Sequence, residues 1–201
     1  MFEVFHTDGR LVYHALLLFV VGLFAGAAVA RLGLTAVARP ALVTFRWVLR
    51  LIGRAPSIAR MALVIWLFNS TAILLYMSSG ALHRLLPMVF CVWTGLNIAA
   101  IVGLARTGKI PAREMGRRED QWTPPRTLAG VCGLAVLVLE LGTFWTAIAM
   151  GISAGQAIQQ GANRLDALIP RAEAYVTLLV PVLLLSAWCE SIAIRGSSRE
   201  G

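Results

Sequence analysis

The chain has 201 residues, of which 58% are hydrophobic and 14% are charged, and its formal net charge is +8. Soluble domains have roughly 45–50% apolar and about 25% charged residues, so this composition excludes an ordinary water-soluble domain. It also excludes a disordered chain, because disorder requires low hydrophobicity. A lipid bilayer is the solvent that accommodates such a chain.

Five apolar segments are each long enough to cross a bilayer as a helix, which takes about 20 mostly apolar residues. In chain order they cover about residues 11–30, 61–79, 85–105, 127–155 and 174–194. The sequence lacks the period-two alternation of a membrane β-barrel. The predicted fold is therefore all-α, a single membrane domain over residues 1–201 built as a bundle of five transmembrane helices.

The basic residues are distributed unequally between the two sides that these spans define. Fourteen of the eighteen lie between the first and second spans, between the third and fourth, or after the fifth. The other side holds Arg10, Arg84, Arg164 and Arg171. By the positive-inside rule we expect the N-terminus outside and the C-terminus in the cytoplasm, in a plasma or bacterial inner membrane.

An amphipathic segment at about residues 40–54 follows the first span. Its Arg46, Arg50 and Arg54 recur every four residues and therefore share one helical face. We interpret it as a helix lying on the anionic cytoplasmic leaflet, with these arginines at the membrane surface. The alternative is a solvated helix whose arginines reflect only the positive-inside rule. Nucleic acid is not an expected partner, because no base-stacking or groove-reading motif accompanies the arginines.

Four polar side chains lie inside the apolar spans, where each is energetically costly: Asn69, Asn97, Glu140 and Glu190. At about 1.5 Å of rise per residue, Asn69 and Asn97 lie about 13 Å from the basic end of their spans, and Glu140 up to about 21 Å. Glu190 lies only about 7 Å from Arg195. We expect the first three in one layer near mid-membrane, with Glu190 closer to the cytoplasm.

Two interpretations of this intramembrane polar cluster stay open. It binds a proton, an ion or a partner helix, or it is structural, with the amides bonding between helices and satisfying Glu140. Because Glu140 and Glu190 are expected at different depths, a paired-carboxylate site is not predicted. Glycine pairs at Gly22/Gly26 and Gly151/Gly155 indicate close helix packing.

Neither a metal nor a cofactor is predicted. Cys91, Cys132 and Cys189 lie in apolar stretches without a CxxC motif, so we interpret them as buried apolar residues. The three histidines lack metal-ligand spacing. Nucleophile-elbow, zinc-protease and nucleotide-binding motifs do not occur, and we expect no enzyme.

Residues 65–196 resemble the stage II sporulation protein M family of membrane proteins, as a divergent member. The resemblance rests on Phe68-Asn69, on Pro87 with Asn97, on Glu140 before LGTFWTAIAMGISAG, and on Glu190 in LLLSAWCESIAIRG. The chain departs from the family pattern in having Ile98 after Asn97 and VLVL before Glu140. The resemblance implies a helical membrane protein and, in endospore formers, a scaffold that recruits peptidoglycan-degrading enzymes during engulfment.

The expected function is thus a non-enzymatic membrane scaffold or accessory subunit. Its partners are the lipid bilayer and other membrane proteins, in a hetero-complex or a homo-oligomer. The alternative is a transporter or channel subunit that uses the Glu/Asn cluster.

Overall fold

A computed structural model describes residues 2–53, 57–107 and 126–197. Its helices are α1 (Phe2–Leu32), α2 (Thr35–Ile52), α3 (Ile58–Ser79), α4 (Leu86–Arg106), α5 (Arg126–Gln159), α6 (Arg164–Ala174) and α7 (Val180–Ser197). A π-helical turn, Tyr175–Leu179, joins α6 to α7. No strand occurs within these ranges, and the prediction of an all-α fold is confirmed.

Five helical stretches of the described residues are long and apolar enough to cross a membrane. They are Arg10–Leu32, Ile58–Ser79, Leu86–Leu104, Gly130–Gln159 and Arg164–Arg195. The last stretch combines α6, the π turn and α7, whereas α2 is not among the five. The protein is therefore a multi-pass helical membrane protein.

Local sequence signals explain where several helices begin and end. Ser57 caps α3, because its side-chain oxygen accepts a hydrogen bond from the backbone N–H of Arg60 at 3.2 Å. Asn163 caps α6 by accepting from Leu165 N–H at 3.2 Å. Between α5 and α6, Gly161 adopts φ +98°, a conformation that favours glycine.

The continuous helical stretch that contains the last predicted span begins at Arg164, before the span predicted at about residues 174–194. The charged side chains of Arg164, Asp166 and Glu173 are exposed on α6, so they do not interrupt the helix. The π turn ends at Leu179, two residues before Pro181, whose ring and missing N–H prevent a regular hydrogen bond to the preceding turn. The extra residue in that turn lets the helix continue through the proline.

Glycines bring the helix backbones into direct contact. A Cβ at Gly22 would collide with the carbonyl of Val92, so α1 and α4 pack through this position. A Cβ at Gly80, just after α3, would likewise collide with the carbonyl of Gly151 on α5. These contacts follow the principle that small residues allow close packing in membranes.

The main core occupies the half of the bundle that contains the start of α1. There Phe19 of α1, Phe144 of α5 and Tyr175 of the π turn are buried together, and the Phe19 and Phe144 rings lie 5.7 Å apart. A smaller cluster on the α2 side joins Val48 and Ile52 of α2 to Ile65 of α3. α3 and α4 contact each other far less than α4 contacts α1, which leaves a gap between α3 and α4.

Candidate functional site: an intramembrane polar cleft

A cleft of about 410 Å³ lies between α2, α3, α4, α5 and α7. All four polar residues of the predicted cluster line it: Asn69 from α3, Asn97 from α4, Glu140 from α5 and Glu190 from α7. A smaller cavity of about 260 Å³ adjoins it and shares Asn69 and Glu140. The helices thus bring together four polar groups that lie far apart in the sequence.

Asn69 and Glu140 form the principal polar link between helices at the site. The Asn69 Nδ2 donates a hydrogen bond to the Glu140 Oε1 at 2.6 Å, which joins α3 to α5. Ser186 of α7 is fully buried and lies next to the same carboxyl group. Its Oγ forms no hydrogen bond within the described part of the chain. One carboxyl group therefore contacts polar groups from two neighbouring helices.

Glu190 lies against Glu140, and the expectation of separate depths is wrong. The two carboxyl groups are within hydrogen-bonding reach of each other and line the same cleft. The depth estimate took Arg126 as the membrane boundary of α5. A count along one helix contains no information on how α5 is shifted against α7. Antiparallel packing of α5 and α7 then brings the two carboxyl groups together.

The side-chain amide of Asn97 was expected to bond between helices, but its Nδ2 bonds within its own helix. Its Nδ2 donates to the carbonyl of Trp93 in its own helix at 2.8 Å. The residue is 7% exposed, and within the described part of the chain its Oδ1 accepts no hydrogen bond. A buried acceptor without a donor is costly, so this amide oxygen has unused bonding capacity in a residue that lines the cleft.

Aromatic and aliphatic side chains form the rest of the cleft surface. Phe68, Tyr76 and Trp93 line it beside Thr94, whose Oγ1 lies 3.2 Å from the Tyr76 hydroxyl. None of the described residues that line the cleft is Lys, Arg or His. The described residues also contain no cluster of three His, Cys, Asp or Glu side chains suited to a metal ion.

The predicted membrane-surface helix corresponds to α2, which has three distinct faces. Val48 and Ile52 face the bundle, whereas Trp47 is exposed on another side of the helix. Arg46 and Arg50 are also exposed and share the third face. Arg54 lies outside the described residues.

Sequence reasoning missed two polar positions near the bundle. Ser186 resembled an ordinary small residue of an apolar span, and only the packing of α7 on α5 places it beside Glu140. Arg171 was assigned to a connection. It is half-buried on α6 and donates to the carbonyls of Met150 and Ala167 and to the Ser153 hydroxyl. The available signal was its spacing, four residues after Ala167 and three before Ala174, which places all three residues on one face of α6.

Fold and site together define a multi-pass helical membrane protein with a carboxyl-containing cleft inside its bundle. Comparison with protein-family models, with curated proteins and with solved structures gave no match.

Proposed function

We propose that the protein is a transporter, or a subunit of one, in which the cleft carboxyl groups carry a proton or a cationic ligand. The observation that carries this proposal is the convergence of Asn69, Asn97, Glu140 and Glu190 on one cleft. Ionisable groups at membrane depth are expensive and commonly mark ion or substrate pathways. Because none of the described lining residues is a cation, the two acids need a counter-charge, which a proton or a ligand supplies.

The membrane and its orientation belong to the same proposal. Fourteen of eighteen basic residues lie on the α2 side, which the positive-inside rule assigns to the cytoplasm of a plasma or inner membrane. The exposed Trp47 and Arg50 on different faces of α2 support its placement at the cytoplasmic surface.

Proton flux in proteoliposomes tests the proposal. Purified protein is reconstituted around a trapped pH-sensitive dye, and a potassium gradient with valinomycin drives protons inward. We expect acidification that Glu140→Gln abolishes, because the amide keeps the shape of the side chain but cannot carry a proton. Glu173→Gln is the matched control, since Glu173 is exposed on α6. Equal flux in Glu140→Gln and the unmodified protein, or none above protein-free liposomes, contradicts carriage of a proton by these carboxyl groups. Carriage of a cationic ligand is tested separately by amine binding.

A second candidate is a non-enzymatic scaffold, as in the resemblance to the stage II sporulation protein M family. It is favoured by Gly130 and Gly133 of α5, where an added Cβ would meet nothing within 4 Å in the described part of the chain. The neighbouring Leu134 and Leu137 are exposed on the same helix. Glycines and leucines on an exposed face suit the docking of another transmembrane helix.

Gentle purification from native membranes tests the scaffold. Co-purifying membrane proteins should be retained by the unmodified chain and lost from Gly133→Leu, which blocks close approach at this face. Recovery of the chain strictly alone contradicts this candidate.

A further inference from the structure

The cleft presents hydrogen-bond acceptors that the described residues leave without donors. The Oδ1 of Asn97 is buried and unpaired, although the residue lines the cleft. The Glu140 carboxyl receives one hydrogen bond from Asn69, and Glu190 adds a second carboxyl group beside it. Since a carboxyl group has about four acceptor sites, most of this capacity remains open. The complementary ligand is a donor of several N–H bonds.

The charge of the cleft points to a cation. Both carboxyl groups face one another, and none of the described lining residues is Lys, Arg or His. A positively charged group placed between Glu140 and Glu190 supplies the missing counter-charge in a medium where an unpaired charge is costly.

The remaining cleft surface favours an organic cation over a hydrated metal ion. Trp93, Tyr76 and Phe68 line the same space. Aromatic faces attract ammonium groups and also offer apolar contact to a hydrocarbon body. The volume of about 410 Å³ falls in the range of roughly 300–1,000 Å³ found for small-molecule sites.

The entrance faces the lipid between α3 and α4. These two helices contact each other little, and three lining residues on this side, Phe68, Trp93 and Ile98, are exposed, Trp93 by 44%. Val48 and Ala41 of α2 line the cleft toward the basic side. A ligand that partitions into the bilayer therefore reaches the carboxyl groups laterally.

We infer that the cleft binds a protonated amine with an apolar body, whose N–H groups bond to Asn97 Oδ1 and to the Glu140–Glu190 pair. This assignment rests on the proposed function and names the ligand class of the same site. The apolar body lies against Trp93 and Phe68.

Competition binding tests the inference with three probes that differ only at one end. Tritiated 4-phenylbutylamine is bound to the purified protein in lipid nanodiscs, with empty nanodiscs correcting for partition into lipid. Unlabelled 4-phenylbutylamine, its N,N,N-trimethyl analogue and 4-phenylbutanol are the competitors. The trimethyl analogue keeps the charge without N–H donors, and the alcohol keeps a donor without the charge.

We expect saturable amine binding, displaced about tenfold less well by the trimethyl analogue and not by the alcohol, given the strength of hydrogen bonds to charged groups. Asn97→Leu should weaken the primary amine about tenfold and leave the trimethyl analogue unchanged, because only the amine uses the Oδ1. Glu190→Gln should weaken both cations. Glu173→Gln, which changes an exposed carboxyl on α6, should change neither.

Three results overturn the inference: no saturable binding, displacement by the alcohol as effective as by the amine, or equal displacement by the two cations. The comparison of probes on the unmodified protein is decisive even where a variant fails to fold. Proton flux in proteoliposomes is measured separately. Proton flux that depends on Glu140, found together with absence of amine binding, overturns the ligand class alone. Absence of both proton flux and amine binding overturns the proposed transport function.

Discussion

Asn69 holds the Glu140 carboxyl group in place across two helices. The bond of 2.6 Å from its Nδ2 joins α3 to α5 beside the cleft. Interhelical hydrogen bonds in membrane proteins contribute about 0.6 kcal/mol on average and up to about 1.7 kcal/mol. Loss of this donor also leaves a carboxyl oxygen unsatisfied, so the cost should lie in the upper part of that range.

Asn69→Leu tests this contribution with little change of side-chain volume. We expect destabilisation of about 1–2 kcal/mol, seen as a lower midpoint of thermal unfolding in detergent. Thr71→Val is the control, since Thr71 is exposed and its hydroxyl bonds only to the Leu67 carbonyl of its own helix. Equal midpoints for the two variants would show that the interhelical bond adds no stability.

The sequence predicted which residues form the site but only part of its geometry. Each of Asn69, Asn97, Glu140 and Glu190 was identified because a polar side chain in hydrocarbon demands a partner. The meeting of Glu190 with Glu140 was not predicted. Depth counted along a single helix contains no information on how that helix is shifted against its neighbour. The unpaired Oδ1 of Asn97 could not be predicted from the sequence either, because an amide can form hydrogen bonds within its own helix or to another helix.

At the scale of the helices, α3 and α5 meet through backbone at Gly80 and Gly151. Gly80→Ala should destabilise the protein by about 1–3 kcal/mol, because the neighbouring atom is a carbonyl that cannot turn aside as a side chain can. Thermal unfolding in detergent measures the effect. Gly133→Ala is the matched control, since nothing described lies within 4 Å of the added Cβ. A loss of stability in Gly133→Ala as large as in Gly80→Ala would contradict this packing.

α5 and α7 bring Cys132 and Cys189 together. The two thiols are close neighbours, although no sequence motif links them. Mild oxidation with copper phenanthroline should join these two cysteines and leave Cys91 free, because Cys91 is fully buried and donates to the Ala15 carbonyl at 3.1 Å. Mass spectrometry of the peptides under non-reducing conditions identifies the pair. Absence of the Cys132–Cys189 disulfide would contradict the packing of α5 on α7, and a disulfide that includes Cys91 would contradict the burial of that thiol.

The helices were easier to predict than their ends. Length and hydropathy identified all five spans, because a bilayer imposes the same requirement on each. The start of the last helix at Arg164 was missed, since charged residues in a sequence resemble a connection. On α6, Arg164, Asp166 and Glu173 are exposed while Ala167 and Ala174 are buried. This amphipathic arrangement becomes visible only when the neighbouring helix is known.

At the scale of the whole molecule, the arginine distribution predicts one orientation in the membrane, and this is directly testable. Single cysteines are introduced as Leu82→Cys or Arg50→Cys into a chain whose three native cysteines are alanine. Leu82 is 76% exposed in the connection between α3 and α4, and Arg50 is exposed on α2. A membrane-impermeant maleimide should label Leu82→Cys in intact cells and Arg50→Cys only after permeabilisation. The reverse pattern would place the α2 side, to which the sequence prediction assigns fourteen of the eighteen basic residues, outside the cell. Because α2 lines one end of the cleft, the same labelling also shows on which side of the membrane that end lies.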